Sequence, residues 1–164
     1  MIQRKQTLWL ALISLICFSS VYINIPFRDL DGKLDGKMTE DAKVHIGFSY
    51  TSIEIVGKEK VETTANSLLK YCTLLIGLLS LGSIFIYKHR QNQLIIGKVI
   101  YLLLLAMTVS MYYFGWSVRN VDLEPEGQIL ISILFPFLLA WFNYLAIRGI
   151  KKDEALVKSY DRIR

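Results

Sequence analysis

The sequence predicts an all-α membrane protein: a bundle of four transmembrane helices, a small β-containing loop on the outer side and an amphipathic C-terminal helix on the cytoplasmic side. Three observations predict this fold. Hydrophobic residues make up 53% of the 164. Uncharged runs cover residues 6–27, 71–87, 99–118 and 127–147, and about 20 helical residues cross a hydrocarbon core roughly 30 Å thick. A chain this short has too little interior to bury four such helices in a soluble fold. We therefore treat residues 1–164 as one polytopic domain.

The first helix is predicted over residues 6–25, because Pro26 disfavours helical backbone at the residue before it. Its apolar stretch exceeds the roughly 7–15 residues of a signal peptide, and no A-x-A-like cleavage site follows. Cys17 invites comparison with lipoproteins, but Ile16 stands where that processing requires a small residue. We expect the segment to remain as a membrane span.

The outer loop, residues 28–66, is predicted to contain a two- or three-stranded sheet. It opens with "LDGKLDGK", whose two Asp-Gly pairs indicate turns. Apolar residues alternate with small or polar ones in "VHIGFSY", which is typical of a strand. Gly57 and Lys58 separate two further β-capable arms, as in a hairpin.

A calcium loop is an alternative interpretation of the start of this segment. Asp29, Asp31 and Glu40 match three ligand positions of the EF-hand pattern. However, Lys33 replaces a further ligand and Leu34 replaces the required glycine. We therefore favour turn formation over calcium binding.

The other three transmembrane helices are predicted over residues 67–87, 94–118 and 128–147. Pro136 cannot donate a hydrogen bond to the carbonyl of Ser132, so we expect a kink in the middle of the fourth helix. The tail, residues 148–164, is predicted to resume as an amphipathic helix after Gly149. This helix either lies on the membrane surface or docks on the inner loop, and the pattern leaves both placements open.

The charges predict the orientation of the chain. With both termini on one side, that side holds eleven cations and three acids, a net charge of +8, against −3 on the other side. Because cytoplasmic loops carry an excess of Lys and Arg, both termini are predicted to be cytoplasmic in a bacterial inner membrane. Anionic headgroups account for the basic tail without nucleic acid; its membrane-surface candidates are Arg148, Lys151, Lys152, Lys158, Arg162 and Arg164.

Small and polar residues within the predicted helices are candidates for helix packing or hinge motion. Small residues let helix backbones approach closely, and an asparagine can form a hydrogen bond across an interface. These candidates are Gly77, Ser80, Ser110, Ser132, Pro136 and Asn143. They could form a hinge or a substrate cavity, but ordinary bundle packing is the interpretation that we favour.

The predicted membrane interior contains no ionisable side chain that would serve coupled transport. Lys70 and Lys98 fall at helix ends, where their ammonium groups can reach the headgroups. Cys17 and Cys72 are predicted at different depths, and the chain has no C-x-x-C pair. We therefore expect no catalytic residue, cofactor or metal site. Aromatic residues near helix ends, Phe27 among them, are expected to anchor at the interface.

Three segments resemble a family of small bacterial four-span membrane proteins whose function is uncharacterised. They are the start "MIQRKQT", the turn "IFIYKHRQNQL" and the end "NYLAIRGIKKDEALVKSYDRIR". The resemblance implies a polytopic inner-membrane protein with an outer β-containing loop. It implies no catalytic or ligand-binding residue.

These observations favour a protein that acts by contact, as an accessory subunit or an envelope scaffold. Its expected partners are the lipid bilayer and other membrane or envelope proteins, or a second copy of the chain. The alternative is a component of a transporter or exporter for an apolar or lipid-like solute, which would not require buried charge.

Overall fold

The structure is a computed structural model that describes residues 5–33, 41–55, 61–87, 89–117, 126–129 and 131–163. The described helices are α1 (Lys5–Ile23), α2 (Ser67–Phe85), α3 (Arg90–Ser117) and α4 (Phe135–Ile163). The described strands are β1 (Pro26–Lys33), β2 (Asp41–Gly47), β3 (Tyr50–Ile55), β4 (Val61–Ala65) and β5 (Glu126–Ile129). A short 3-10 helix, Ile131–Leu134, precedes α4.

The four helices are each long and apolar enough to cross a membrane. Each packs against two others, so that α1, α2, α3 and α4 form a closed ring in chain order. The chain passes from α1 into the sheet and returns from the sheet into α2. We call the sheet end of the bundle the outer end, and the opposite end, where α1 begins, the inner end.

The surface of the bundle is strongly apolar. Large hydrophobic side chains are more than half exposed on all four helices, including Leu8, Leu15, Leu78, Leu102, Leu105 and Phe137. Soluble monomers rarely expose an apolar surface this extensive. The arrangement is compatible with a multi-pass membrane protein.

The strands form one antiparallel sheet in the order β4-β3-β2-β1-β5. Val44, Ile46 and Phe48 are buried and His45 is half-buried, as the alternation predicts. The alternation fails beyond Phe48, because β2 ends at Gly47, Ser49 is buried and Tyr50 is 43% exposed. The buried face joins the hydrophobic core of the helices. The ring centroid of Phe48 lies 5.0 Å from that of Phe135 at the start of α4, so the sheet caps the outer end of the bundle.

Two asparagines fix the turn between β2 and β3 against the helices. Asn24, just after α1, has φ 52°, a left-handed conformation that asparagine tolerates better than most residues. Its Oδ1 accepts hydrogen bonds from the backbone N–H groups of Ser49 (2.7 Å) and Tyr50 (3.1 Å). Asn66, just before α2, donates from Nδ2 to the carbonyl of Gly47 at 2.8 Å. We call these two residues and the turn that they hold, Gly47–Thr51, the outer junction.

The predicted start of the fourth helix is wrong. Residues 126–129 form β5, which pairs with β1, and α4 begins only at Phe135. Without β5, β1 would be an edge strand with unpaired backbone groups, and this long-range pairing is invisible in a local run of uncharged residues. Pro136 therefore lies in the first turn of α4, where its missing N–H disrupts no helical hydrogen bond. The basis for a kink in mid-helix is removed.

The predicted break after Gly149 is also wrong, because α4 continues without interruption to Ile163. A Cβ at Gly149 would lie 3.2 Å from the Cβ of Gln6 in α1. The glycine thus permits close packing of two helices instead of ending one. The third helix begins at Arg90, four residues earlier than predicted.

The sheet is larger than the predicted two or three strands. The first Asp-Gly pair, Asp31-Gly32, lies within β1 and not in a turn, because it pairs with residues of β2. Asp29 also lies in β1, so the calcium-loop geometry is not formed there; Glu40 lies outside the described residues. The arms of the predicted hairpin are β3 and β4, which pair as expected, while Gly57 and Lys58 are outside the described residues.

Candidate functional site

Two predicted packing residues lie together where α2 meets α1. Gly77 is buried, and a Cβ there would lie 3.2 Å from the Cβ of Cys17. One turn further along α2, the hydroxyl of Ser80 donates a hydrogen bond to the carbonyl of Leu10 at 2.6 Å. The absence of a side chain at Gly77 therefore lets α1 and α2 approach closely, and the hydroxyl of Ser80 joins them by a hydrogen bond.

A similar contact joins α4 to α3. Asn143 is fully buried and donates from Nδ2 to the carbonyl of Gly97 at 2.9 Å. A Cβ at Gly97 would lie 2.8 Å from Cδ1 of Ile147, so the absence of that side chain makes room for the isoleucine. Nearer the inner end, Arg90 donates from Nη1 to the backbone carbonyl of Asp153 at 3.0 Å.

The other three packing or hinge candidates do not join these contacts. Ser110 donates to the carbonyl of Ala106 in its own helix at 2.7 Å. Ser132 lies half-buried in the 3-10 helix, and Pro136 is buried at the start of α4. The six candidates are thus distributed along the bundle, and the structure does not bring them together as one hinge.

Three buried amides lie in the inner half of the bundle, and the sequence interpretation identified only one of them. Gln6, Gln93 and Asn143 are at most 4% exposed. Gln93 donates from Nε2 to the carbonyl of Ser83 at 2.8 Å and so joins α3 to α2. The side-chain oxygens of all three amides accept no hydrogen bond from the part of the chain that the structure describes. Gln6 and Gln93 could have been identified as uncharged amides at the edge of an apolar run. Gln93 was missed because the sequence placed it in the turn before the third helix.

A groove runs between α3 and α4 on the outside of the bundle, near its inner end. Its volume is about 490 Å³. Its lining combines apolar, aromatic and cationic side chains: Leu94, Ile147, Tyr101, Tyr144, Lys98, Arg148 and Lys151. The three cations are exposed, and no ion pair to them is formed within the described residues.

Of the predicted membrane-surface cations whose side chains the structure describes, Arg148 and Lys151 line this groove. Lys152 is exposed but does not line it. Lys158 and Arg162 belong to the last turns of α4, and Arg164 lies outside the described residues. Lys98, predicted only to reach toward headgroups, supplies the third cation of the groove.

The remaining chemically active side chains are dispersed. Cys17 is buried and Cys72 half-buried, and both are free thiols. His45 Nδ1 lies 2.8 Å from Oδ1 of Asp29, its direct partner across β2 and β1. Within the described ranges, no three His, Cys, Asp or Glu side chains are grouped to hold a metal. Phe27, expected at the interface, is instead 1% exposed within the core, against Phe48.

Comparison with known proteins gives two findings. A family described as a domain of unknown function, DUF4293, matches residues 2–163. The DNA translocase FtsK of Streptococcus agalactiae serotype V is 26% identical over 113 residues, which are 69% of this chain and 14% of that protein. The chain thus covers only a small part of the length of that curated relative.

Proposed function

Because the chain belongs to the DUF4293 family, a domain of unknown function, we propose its role from its own geometry: a non-enzymatic protein of the bacterial inner membrane that acts by contact. The match to this family over residues 2–163 confirms the expected membership of an uncharacterised family. In this proposal the protein is an accessory subunit or scaffold, with the sheet outside and both termini in the cytoplasm.

One observation supports this role: two surfaces extend from opposite ends of a single packed core. At the outer end, the sheet shares its buried face with the helices. At the inner end, the 29 residues of α4 extend about 43 Å at 1.5 Å per residue, against a hydrocarbon core of about 30 Å. At least about 13 Å of helix is therefore available beyond the core, and more where the preceding 3-10 helix takes up part of that thickness.

The sheet also offers a recognised mode of protein contact. β4 is an edge strand, and Thr64 and Ala65 on it are exposed. An exposed strand edge can pair with an extended segment of another chain. Binding at this edge and along the inner part of α4 would require no reactive group, in keeping with the dispersed chemistry of the chain.

Orientation is tested by labelling two single cysteines in intact cells with a membrane-impermeant thiol reagent. In a chain with Cys17 and Cys72 replaced by serine, a cysteine at Thr64 should react from outside. A cysteine at Lys152 should react only after the membrane is permeabilised. The reverse pattern would invert the proposed topology.

The contact role is tested by photo-crosslinking in native membranes. A photoreactive residue at Thr64 and another at Lys152 should give adducts of discrete mass with protein, whereas one at the exposed Leu105 should give lipid adducts. A chain truncated before Lys151 should lose the adducts of the inner surface and keep those of the sheet. If neither surface gives a protein adduct, we would abandon the contact role.

The alternative, a transporter or exporter component for an apolar or lipid-like solute, is favoured only by the groove between α3 and α4. The expected cavity residues, Pro136 and Asn143, are buried and do not line it. Reconstituted protein that moves a fluorescent lipid between leaflets faster than protein-free vesicles would favour this alternative. DNA translocation is not carried over from the streptococcal relative, because the match covers 14% of that protein.

A further inference from the structure

The groove between α3 and α4 has a polar end and an apolar end. Leu94, Lys98 and Tyr101 line it at helical spacing along α3, and Tyr144, Ile147, Arg148 and Lys151 line it along α4. Because the two helices are antiparallel, Lys98, Arg148 and Lys151 lie toward the inner end, while both tyrosines lie toward the middle of the bundle.

The level of the cations follows from helix lengths. From Lys98 to the end of α3 at Ser117 is about 28 Å at 1.5 Å per residue. The 3-10 helix and the part of α4 up to Arg148 together span a similar length, about 28 Å. Both distances are close to the thickness of a hydrocarbon core, about 30 Å. Lys98 and Arg148 would therefore lie at the same membrane boundary.

The groove is held open by contacts on either side of it. The hydrogen bond from Asn143 to the carbonyl of Gly97 joins the helices at its deeper end, and that from Arg90 to the carbonyl of Asp153 joins them nearer the inner end. Ile147 fills the space that a side chain at Gly97 would occupy. These contacts fix the separation of α3 and α4, so the groove is formed before any ligand binds.

We propose that this groove binds one anionic phospholipid of the inner leaflet, with its phosphate against Lys98, Arg148 and Lys151 and its acyl chains along the apolar surface beyond the tyrosines. The inference rests on the proposed membrane orientation. Charge complementarity supports it, because three cations line the groove and, among the described side chains, no acidic one does. Basic pockets between transmembrane helices at the cytoplasmic side suit such headgroups.

A lipid fits these features better than a soluble phosphate does. The volume of about 490 Å³ is within the roughly 300–1,000 Å³ of ligand pockets, and much of the lining is apolar or aromatic. Beyond the tyrosines, Leu102, Leu105 and Trp141 are each at least 60% exposed on the same two helices. An acyl chain would cover this surface, whereas a free phosphate would leave it uncovered.

The test measures the lipid retained by the purified full-length protein. Protein is exchanged into micelles containing equal amounts of phosphatidylglycerol and phosphatidylcholine, and bound lipid is counted by native mass spectrometry. We expect one phosphatidylglycerol to be retained in preference to phosphatidylcholine. Arg148→Gln should weaken its retention about fivefold, and Lys98→Gln with Arg148→Gln by considerably more.

Lys152→Gln is the matched control. It removes an equal charge one helical turn beyond Arg148, from a side chain that is exposed and does not line the groove. If it weakens retention as much as Arg148→Gln does, general surface charge is responsible and the groove proposal is wrong. Competition by glycerol phosphate as effective as that by the lipid would also overturn it. Since the assay uses protein in micelles, its result is independent of the cysteine labelling that tests orientation.

Discussion

The two ends of the bundle use the same side-chain amide group in different ways. At the outer junction, Asn66 exchanges hydrogen bonds with the hydroxyl of Thr51 (3.0 and 3.1 Å) and also donates to the carbonyl of Gly47. At the inner half, Gln93 and Asn143 each donate one hydrogen bond to a neighbouring helix and leave their oxygens without a donor among the described residues. The outer amides fix one arrangement of sheet and helices, whereas the inner amides join helix pairs singly.

This difference teaches where the stability of the fold is concentrated. A hydrogen bond lost at a fully used buried amide leaves its former partner unsatisfied, which costs about 1–3 kcal/mol per group. A single hydrogen bond between membrane helices contributes less, about 0.6 kcal/mol on average. Substitutions at the outer junction should therefore destabilise the protein more than comparable substitutions at single interhelix hydrogen bonds.

The largest effect is expected for Asn66→Ala. The substitution removes the donor to the carbonyl of Gly47 and both hydrogen bonds with Thr51, all of them buried. The free energy of unfolding should fall by about 2–4 kcal/mol, measured by denaturant titration in micelles. Thr64→Ala, at an exposed position of β4, is the control and should change little. Equal losses for the two variants would show that the junction does not hold the sheet.

The next largest effect is expected for Gly97→Ala, in the inner half. Its methyl group would lie 2.8 Å from Cδ1 of Ile147, so α3 and α4 must separate or the isoleucine must move. We expect a loss of about 1–3 kcal/mol in the free energy of unfolding. In an Ile147→Ala background, which removes both Cδ1 and Cγ1 (2.9 Å from the same Cβ position), the same substitution should cost less.

Gly82→Ala is the matched control for Gly97→Ala. Both are glycines within helices, but a Cβ at Gly82 would meet nothing within 4 Å. This variant should unfold like the parent or be slightly more stable, because alanine favours a helix more than glycine does. If both alanine variants were destabilised equally, close packing of α3 and α4 would not be the reason for Gly97.

A smaller effect is expected for Ser80→Ala, which removes the hydrogen bond from α2 to the carbonyl of Leu10 in α1. The expected loss is about 0.6 kcal/mol, measured by the same unfolding titration. Ser110→Ala is the comparison, since that hydroxyl bonds only within its own helix and its removal should change almost nothing. A larger loss at Ser110 than at Ser80 would contradict the proposed α1–α2 link.

The parts of the fold that depend on length and polarity could be predicted from the sequence. Uncharged runs identified α1, α2 and most of α3, because transfer from water to lipid acts on each residue nearly independently. The start of α4 could not be predicted in this way. Residues 126–129 form a strand only because β1 lies beside them, after a separation of nearly a hundred residues.

The candidate site was predictable where a polar residue stood out within an apolar run. Ser80 and Asn143 were identified for that reason, and both form interhelix hydrogen bonds. The groove was not predicted, because its cations come from two helices whose pairing no local pattern reveals. Gly149 was misinterpreted for the same reason, since its partner, Gln6, lies at the other end of the chain.

The smallest effect is expected for His45→Ala, which tests the pairing of strands within the sheet separately from the outer junction. His45 and Asp29 are direct partners across β2 and β1, but both side chains are about a third exposed, at 39% and 30%. Exposed cross-strand pairs contribute little, so the free energy of unfolding should fall by roughly 0.5 kcal/mol. If the loss instead approached that of Asn66→Ala, the outer half would owe its stability to the pairing of its strands as much as to the asparagines, and the outer junction would not be where that stability is concentrated. A small loss would place the stability of the outer end in the few residues that join sheet to helix.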